Sequence, residues 1–380
     1  MLHRSAQQYL PIPPGNHSSG YRSGAPSRGL VGLSQRCDVA RSFMAGRLAS
    51  LALLGIVGLL GPGTTPALAA PFAYIPNADS NTVSVIDTAT NTVTATVPVG
   101  EGPHGVAVHP AGTFVYVTNY ASDTVSVINT TNQTVAATVS VGEAPLGLAV
   151  HPAGAFVYVV NSFSPSVSVI DTATHTVTAT VRVGEIPIGV AVHPAGTFVY
   201  VTHHANPTVS VIDTATNTVT TTVPVGSYPS GVAVHPAGTL VYVTNFYSGT
   251  VSVINTTTNT LTATVPVEDA PFGVAVHPAG TFVYVTNTHG AVVFGKSPTN
   301  GSLSVIDTAT NTVTTTVPLK SAPYGVAVHP AGTFVYVANP NNNTISVIDT
   351  ATNKITATIT VGERPVAFGQ FIGPDKEHGR

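Results

Sequence analysis

One string returns through this chain at a nearly constant spacing, and that recurrence limits its possible folds more than any other feature. The residue closing the Tyr-Val-Thr-Asn-like string falls at Asn77, Asn119, Asn161, His203, Asn245, Asn287 and Asn339. Successive separations are 42 residues five times over, then 52, because about ten extra residues lie between Asn287 and Ser304. A second marker, Ser-Val-Ile or a close variant followed by Asp or Asn, keeps step and ends at Asp87, Asn129, Asp171, Asp213, Asn255, Asp307 and Asp349. Seven copies are therefore present, and each must bury its apolar face against its neighbours.

A period near 40 rich in Val, Thr and Tyr predicts β-propeller blades. In the unit that starts at Gly105, four short β-branched runs read as strands: Gly105 to Val108, Phe114 to Thr118, Thr124 to Ile128 and Thr134 to Val141. His109-Pro110-Ala111-Gly112 suits a type I turn, with Pro presetting φ and Gly in fourth place. Asp87-Thr88-Ala89-Thr90-Asn91 suits another, since Asp bonds amides two residues on and Asn tolerates a left-handed backbone. The repeats open at Phe72 on a second-type strand and end with Pro365 to Phe371, which aligns with the innermost strand of the other units. The expected fold is all-β: a seven-bladed propeller of four antiparallel strands per blade, its C-terminal strand completing the N-terminal blade and covering the exposed edges.

Tyr116-Val117-Thr118-Asn119, Tyr242-Val243-Thr244-Asn245 and Tyr284-Val285-Thr286-Asn287, each inside a His-Pro-x-Gly and Ser-Val-Ile frame, resemble the YVTN β-propeller repeats of YncE-like and surface-layer-type proteins. The resemblance covers roughly residues 71 to 373. It implies the seven-bladed WD40/YVTN-like fold. The wider group that such propellers resemble includes lactonases, streptogramin lyases, dehydrogenase subunits and proteins with binding roles alone, so function has to be argued from the site.

The first 70 residues differ in kind. Residues 1 to 43 are rich in Pro, Ser, Gly and Arg without apolar periodicity and read as a disordered leader. Residues 44 to 69 read as a secretory signal peptide: basic Arg47, an apolar run from Leu48 to Leu60, and Ala67-Leu68-Ala69 as the cleavage site. Met44 fits an initiator with an upstream extension before it; a long n-region is the alternative. The expected mature protein is exported to the periplasm, cell surface or medium. It comprises a propeller over 70 to 373 and a polar tail over 374 to 380, as a monomer with no transmembrane segment. The sole cysteine, Cys37, lies in the leader, so blade packing rather than disulfides must hold the propeller. Residues 71 to 380 carry 7 Lys or Arg against 15 Asp or Glu, a balance of −8 that disfavours nucleic acid.

The alternation of strands puts the His-Pro-Ala-Gly and Asp-Thr-Ala-Thr-Asn turns on one rim, where the copies hardly differ. The other rim collects loops that differ in every copy, and binding residues usually sit on loops held by a rigid frame. Two residue sets stand out there. Glu101, Glu143, Glu185, Asp269 and Glu363 precede the Pro-x-Gly corner and make either a cation-attracting mouth or a solvated acidic rim. The x position is held by His104, Leu146, Ile188, Ser230, Phe272, Tyr324 and Val366, with Tyr120, Phe163, Tyr228, Phe246 and Tyr247 in the loops nearby. These make either an aromatic platform for a sugar, peptide or small amphipathic ligand, or packing that plugs the channel.

The six histidines His109, His151, His193, His235, His277 and His329 sit one per unit in tight turns. They read as structural, each bonding the Asp or Asn after Ser-Val-Ile in its own blade, because zinc needs three or four ligands converging on one point. His203-His204 breaks the Asn pattern, and with Glu185 it offers an acid–base or metal pair. Gly100 to Gly105 matches G-x-G-x-x-G but opens a strand, not a helix, and no serine-hydrolase elbow, zincin or EF-hand motif is present. No cofactor and no metal is expected. The insertion from Thr288 to Gly301 fits a lid or a long surface loop. Two functions stand at this point. One is a non-catalytic propeller binding a protein, glycan or small molecule through the variable rim. The other is a lactonase-like hydrolase or lyase with His104, Glu143, Glu185 or His203 as acid–base groups at the channel mouth.

Overall fold

The computed structural model describes residues 71–290 and 300–374; the leader, the signal-peptide reading, part of the insertion and most of the tail lie outside them. Six four-stranded antiparallel sheets and one three-stranded sheet follow in chain order. Blade 1 holds Phe72–Asn77, Thr82–Asp87 and Thr92–Pro98; blade 2 holds Pro103–Val108, Phe114–Asn119, Thr124–Asn129 and Thr134–Ser140. Blades 3 to 7 repeat that order and start at Pro145, Pro187, Pro229, Pro271 and Val326. Neighbouring innermost strands pack side by side around the axis.

The missing inner strand of blade 1 is supplied by residues 365–372. Pro365 bridges Asn77 and Ile372 bridges Ala73, both antiparallel. Tyr74 N donates to Phe371 O at 2.9 Å and Val366 N to Pro76 O at 3.0 Å. This closing segment is less regular than its counterparts: Ala367 and Gly369 have φ of 40° and 122°, and Val106 N of blade 2 donates to Phe368 O at 3.0 Å. It is thus laced to blades on both sides.

The second strands carry the packing. Their tyrosines, from Tyr74 in blade 1 to Tyr336 in blade 7, are buried between blades among Val and Ile of the next sheet. In each outer pair a bulge shifts the register, as between Val85 and Ile86. Thr94 sits in that bulge and returns its hydroxyl to Val85 O at 3.2 Å, and the extra twist suits a blade.

Both predicted turns form. Gly112 has φ of 66°, and its N–H donates to His109 O at 2.7 Å. Asp87 Oδ1 accepts from Ala89 N at 2.8 Å, and Asn91 is left-handed at φ of 54°. The partner expected for the repeated histidines is corrected. His109 Nδ1 accepts from Ala111 N at 3.1 Å, while Nε2 meets Gly154 O of the next blade at 3.0 Å and not Asn129 of its own. His151, His193, His235 and His277 repeat this reach to Gly196, Gly238, Gly280 and Gly332. They are latches between blades.

Candidate functional site

The variable rim is built on the Asn that closes the Tyr-Val-Thr-Asn string. Asn119 Nδ2 donates to Thr124 Oγ1 at 3.0 Å and Ser126 Oγ at 2.9 Å, pinning the loop between the second and third strands. The corner from the outer strand of one blade to the inner strand of the next lies against that loop. Tyr120 N donates to Gly102 O at 3.0 Å, Phe163 N to Glu143 O at 3.2 Å and Phe246 N to Tyr228 O at 2.9 Å. The residue before the corner proline takes a left-handed backbone at Gly102, Ala144, Ile186, Tyr228, Ala270 and Arg364. That conformation is common for Gly and strained for Ile or Tyr.

On this frame the aromatic residues join into one run. Phe163 meets Tyr120 at 6.0 Å between ring centroids, Tyr120 meets His104 at 5.7 Å, and His104 meets Tyr324 at 6.4 Å. Tyr324 stacks on Phe272 at 4.0 Å, and Phe272 meets Phe246 at 6.4 Å. His204 follows at 6.3 Å from Phe246, then Tyr228 at 4.8 Å, and Tyr247 ends the run 5.6 Å beyond. Phe368 of the closing segment joins at 5.3 Å from Phe272.

Exposure alternates along this run. Phe163 and Tyr247 at its ends are exposed, Tyr247 to 79 %. Tyr120, Tyr324, Phe246 and Tyr228 are half-buried, and His104, Phe272 and His204 between them are buried. Buried rings therefore brace the accessible ones edge to face or tilted, which fixes their orientation before any ligand arrives.

The proposed acid–base residues are not brought together. His104 is buried at the mouth, and burial lowers its pKa to about 3. His203 is buried in the place of the repeat Asn, its Nε2 2.7 Å from Ser210 Oγ, and burial lowers its pKa to about 4. Burial does the same to His204. Glu143 and Glu185 are exposed, and neither forms an ion pair with a histidine among the described residues. Glu101, Asp269 and Glu363 are exposed as well. Among the described residues no three His, Cys, Asp or Glu side chains converge as a metal site.

The central channel is nearly filled. Gly147, Gly189, Gly231, Gly273 and Gly325 line it with Phe368 and Gly369, around a void of about 30 Å³. That holds water and not an organic substrate. The glycines are required here, since a Cβ on Gly105 or Gly325 would run into the carbonyl of Leu146 or Ala367 in the adjoining strand.

One cluster was missed from the sequence. Glu268 Oε2 lies 3.0 Å from His289 Nε2, and Ser302 Oγ lies 3.4 Å from each. The signal was available: Glu268 stands where five other units carry Gly100, Gly142, Gly184, Gly226 and Gly362.

Comparison with solved structures returns chains of similar fold. Hydrazine synthase of Kuenenia stuttgartiensis superposes with a TM-score of 0.64 at 23 % identity, covering 77 % of this chain and 99 % of that one. A functionally unknown protein from Desulfotomaculum acetoxidans gives 0.64 at 15 % identity, covering 78 % and 99 %. The dihydro-heme d1 dehydrogenase NirN in complex with DHE gives 0.57 at 14 %, covering 80 % and 76 %. At these identities the likeness is one of fold. No curated protein matches the chain. Among the described residues no helix is long and apolar enough to cross a membrane. The model of the family described as lactonase, 7-bladed beta-propeller matches residues 77–277, more than half of the chain, and the chain belongs to that family.

Proposed function

We propose that this protein is an exported, monomeric binding propeller of the cell envelope that holds an extended ligand with flat apolar faces, a glycan, on its variable rim. The observation that carries this is the run of nine rings across the rim, in which buried rings brace accessible ones. A preformed aromatic surface of this kind suits the apolar faces of sugar rings, and it costs little ordering on binding. Export rests on the basic, apolar and small-residue pattern of residues 44 to 69.

The test is retention of the purified protein on immobilised envelope polysaccharides, followed by calorimetry on those that retain it. Tyr247→Ala and Phe163→Ala remove the two most exposed rings, and each should weaken binding about 2- to 10-fold at unchanged melting temperature. Absence of binding to every glycan tried, or binding indifferent to both substitutions, refutes the reading.

Family membership favours a second reading, hydrolysis of a cyclic ester at the channel mouth around His104. Against it stand the burial of His104, the outward carboxylates and the filled channel. Turnover of a lactone panel that is lost in His104→Ala, with folding intact, would establish it.

A further inference from the structure

The rim offers more than its rings, because its charge is one-sided. Its described loops hold eight carboxylates, and two of their side chains are engaged in ion pairs: Asp79 with Arg364 at 3.1 Å and Glu268 with His289 at 3.0 Å. Asp123 is used internally, accepting from Ala144 N at 2.8 Å. Glu101, Glu143, Glu185, Asp269 and Glu363 are exposed, with no side-chain hydrogen bond or ion pair among the described residues. The positive groups facing them are few. Arg364 is held by Asp79, which leaves Lys320 at a corner and Arg182 at the end of an outer strand. Counting Lys296 of the insertion from the sequence still leaves the balance negative.

Two of these residues, Glu101 and Glu143, lie beside the aromatic run. Glu143 O accepts from Phe163 N at 3.2 Å, and Glu101 O accepts from Ala121 N at 3.1 Å, next to Tyr120. Rings that present faces to solvent beside unpaired carboxylates attract cations twice, through the ring quadrupole and through charge.

Resting on the glycan reading above, we infer that the ligand is a cationic glycan, a polymer of hexose units bearing free amines. Ring faces take the sugars, and Glu101, Glu143 and their neighbours take the ammonium groups. A basic peptide fits less well. Peptides that dock by adding a strand or by capture in backbone nests need free backbone groups on the receptor. On this rim the loop amides of Tyr120, Ala121, Phe163, Phe246 and Tyr247 are already bonded to the neighbouring corner.

Calorimetry of the purified protein at pH about 5.5, above the ordinary carboxylate range, with three probes decides the matter. The probes are oligomers of β-linked glucosamine, the same oligomers N-acetylated, and oligolysine of equal charge. We expect the amine oligomer to bind at least tenfold more tightly than its acetylated form. Glu101→Gln with Glu143→Gln should weaken the amine oligomer severalfold and leave the acetylated one unchanged, while Tyr120→Ala should weaken both. Equal affinity for both oligomers, insensitive to the Gln substitutions, overturns the cationic ligand and leaves the aromatic rim standing. No binding to either, nor to any neutral polysaccharide, overturns the glycan reading itself. Oligolysine binding as tightly as the amine oligomer, unaffected by Tyr120→Ala, assigns the rim to peptides.

Discussion

Thr244→Val tests how the inner ring is held. Thr244 is fully buried, and its hydroxyl relays between blades. It accepts from Gly231 N at 2.8 Å and donates to Phe272 O of the next blade at 2.7 Å. Thr118, Thr202 and Thr286 make the same relay. Valine keeps the shape and removes both bonds, leaving a backbone donor and an acceptor unsatisfied beside a channel whose void is only about 30 Å³. At about 1 to 3 kcal/mol for each buried group left unpaired, the loss should be about 2 to 6 kcal/mol. For a propeller of about 300 residues that lowers the melting temperature by roughly 2 °C per kcal/mol, or about 4 to 12 °C. The chain supplies its own control, because blade 3 carries Val160 at this position. Val160→Thr should therefore stabilise, by about 1 kcal/mol for the added bonds. Calorimetric scans and chemical unfolding of both variants give the numbers. A Thr244→Val change within about 0.5 kcal/mol of the parent, or a Val160→Thr change that destabilises, would refute the relay; the few channel waters would then be satisfying these groups.

Other expectations concern burial, strain and the latches. His104, His203 and His204 are held neutral by burial, at about 3, 4 and 4. The unfolded chain takes up these protons near 6.5, so the stability is complete above about 6.5 and is lost as pH falls toward 4, by up to about 1.4 kcal/mol per pH unit for each group. His203→Asn restores the repeat residue and should remove about a third of that part of the slope in acid-unfolding curves; an unchanged slope would count against it. Ile186, at φ of 48°, occupies the position of Gly102 in blade 2, and Ile186→Gly should gain about 0.5 to 1 kcal/mol in chemical unfolding, whereas a loss would show the corner to be unstrained. Gly154→Ala would press a Cβ on the His109 ring at a φ of 76° and should cost more than about 2 kcal/mol. In a His109→Ala background that cost should shrink, and strict additivity in the double-mutant cycle would deny the latch.

The fold was legible in the sequence because each blade is a local object. The spacing of the Asn and Asp markers, the β-branched runs and the two turn types all act within about 40 residues, and they fixed strand order, turn chemistry and rims. Ring closure followed from counting strands, and residues 365–372 indeed lie against blade 1. The loop aromatics were visible as departures from identical units.

Whatever depends on one blade meeting the next was decided by tertiary structure. His109 finds its partner 45 residues away in Gly154, a contact that exists only when blades stack, so a same-blade partner was the natural and mistaken expectation. His203, which reads as a reactive departure, is buried in the place of a structural Asn. The carboxylates recur at equivalent corners, yet they are exposed and do not converge as a metal site among the described residues, because each corner belongs to its own blade. The candidate site is the most collective feature of all: Phe163 and Tyr247 are linked through seven rings drawn from five blades, and no window of the chain contains that continuity. Sequence determined the blade, through local turns and alternation. Only the packing of blades around an axis decided which side chains are braced, which are buried and which meet the solvent.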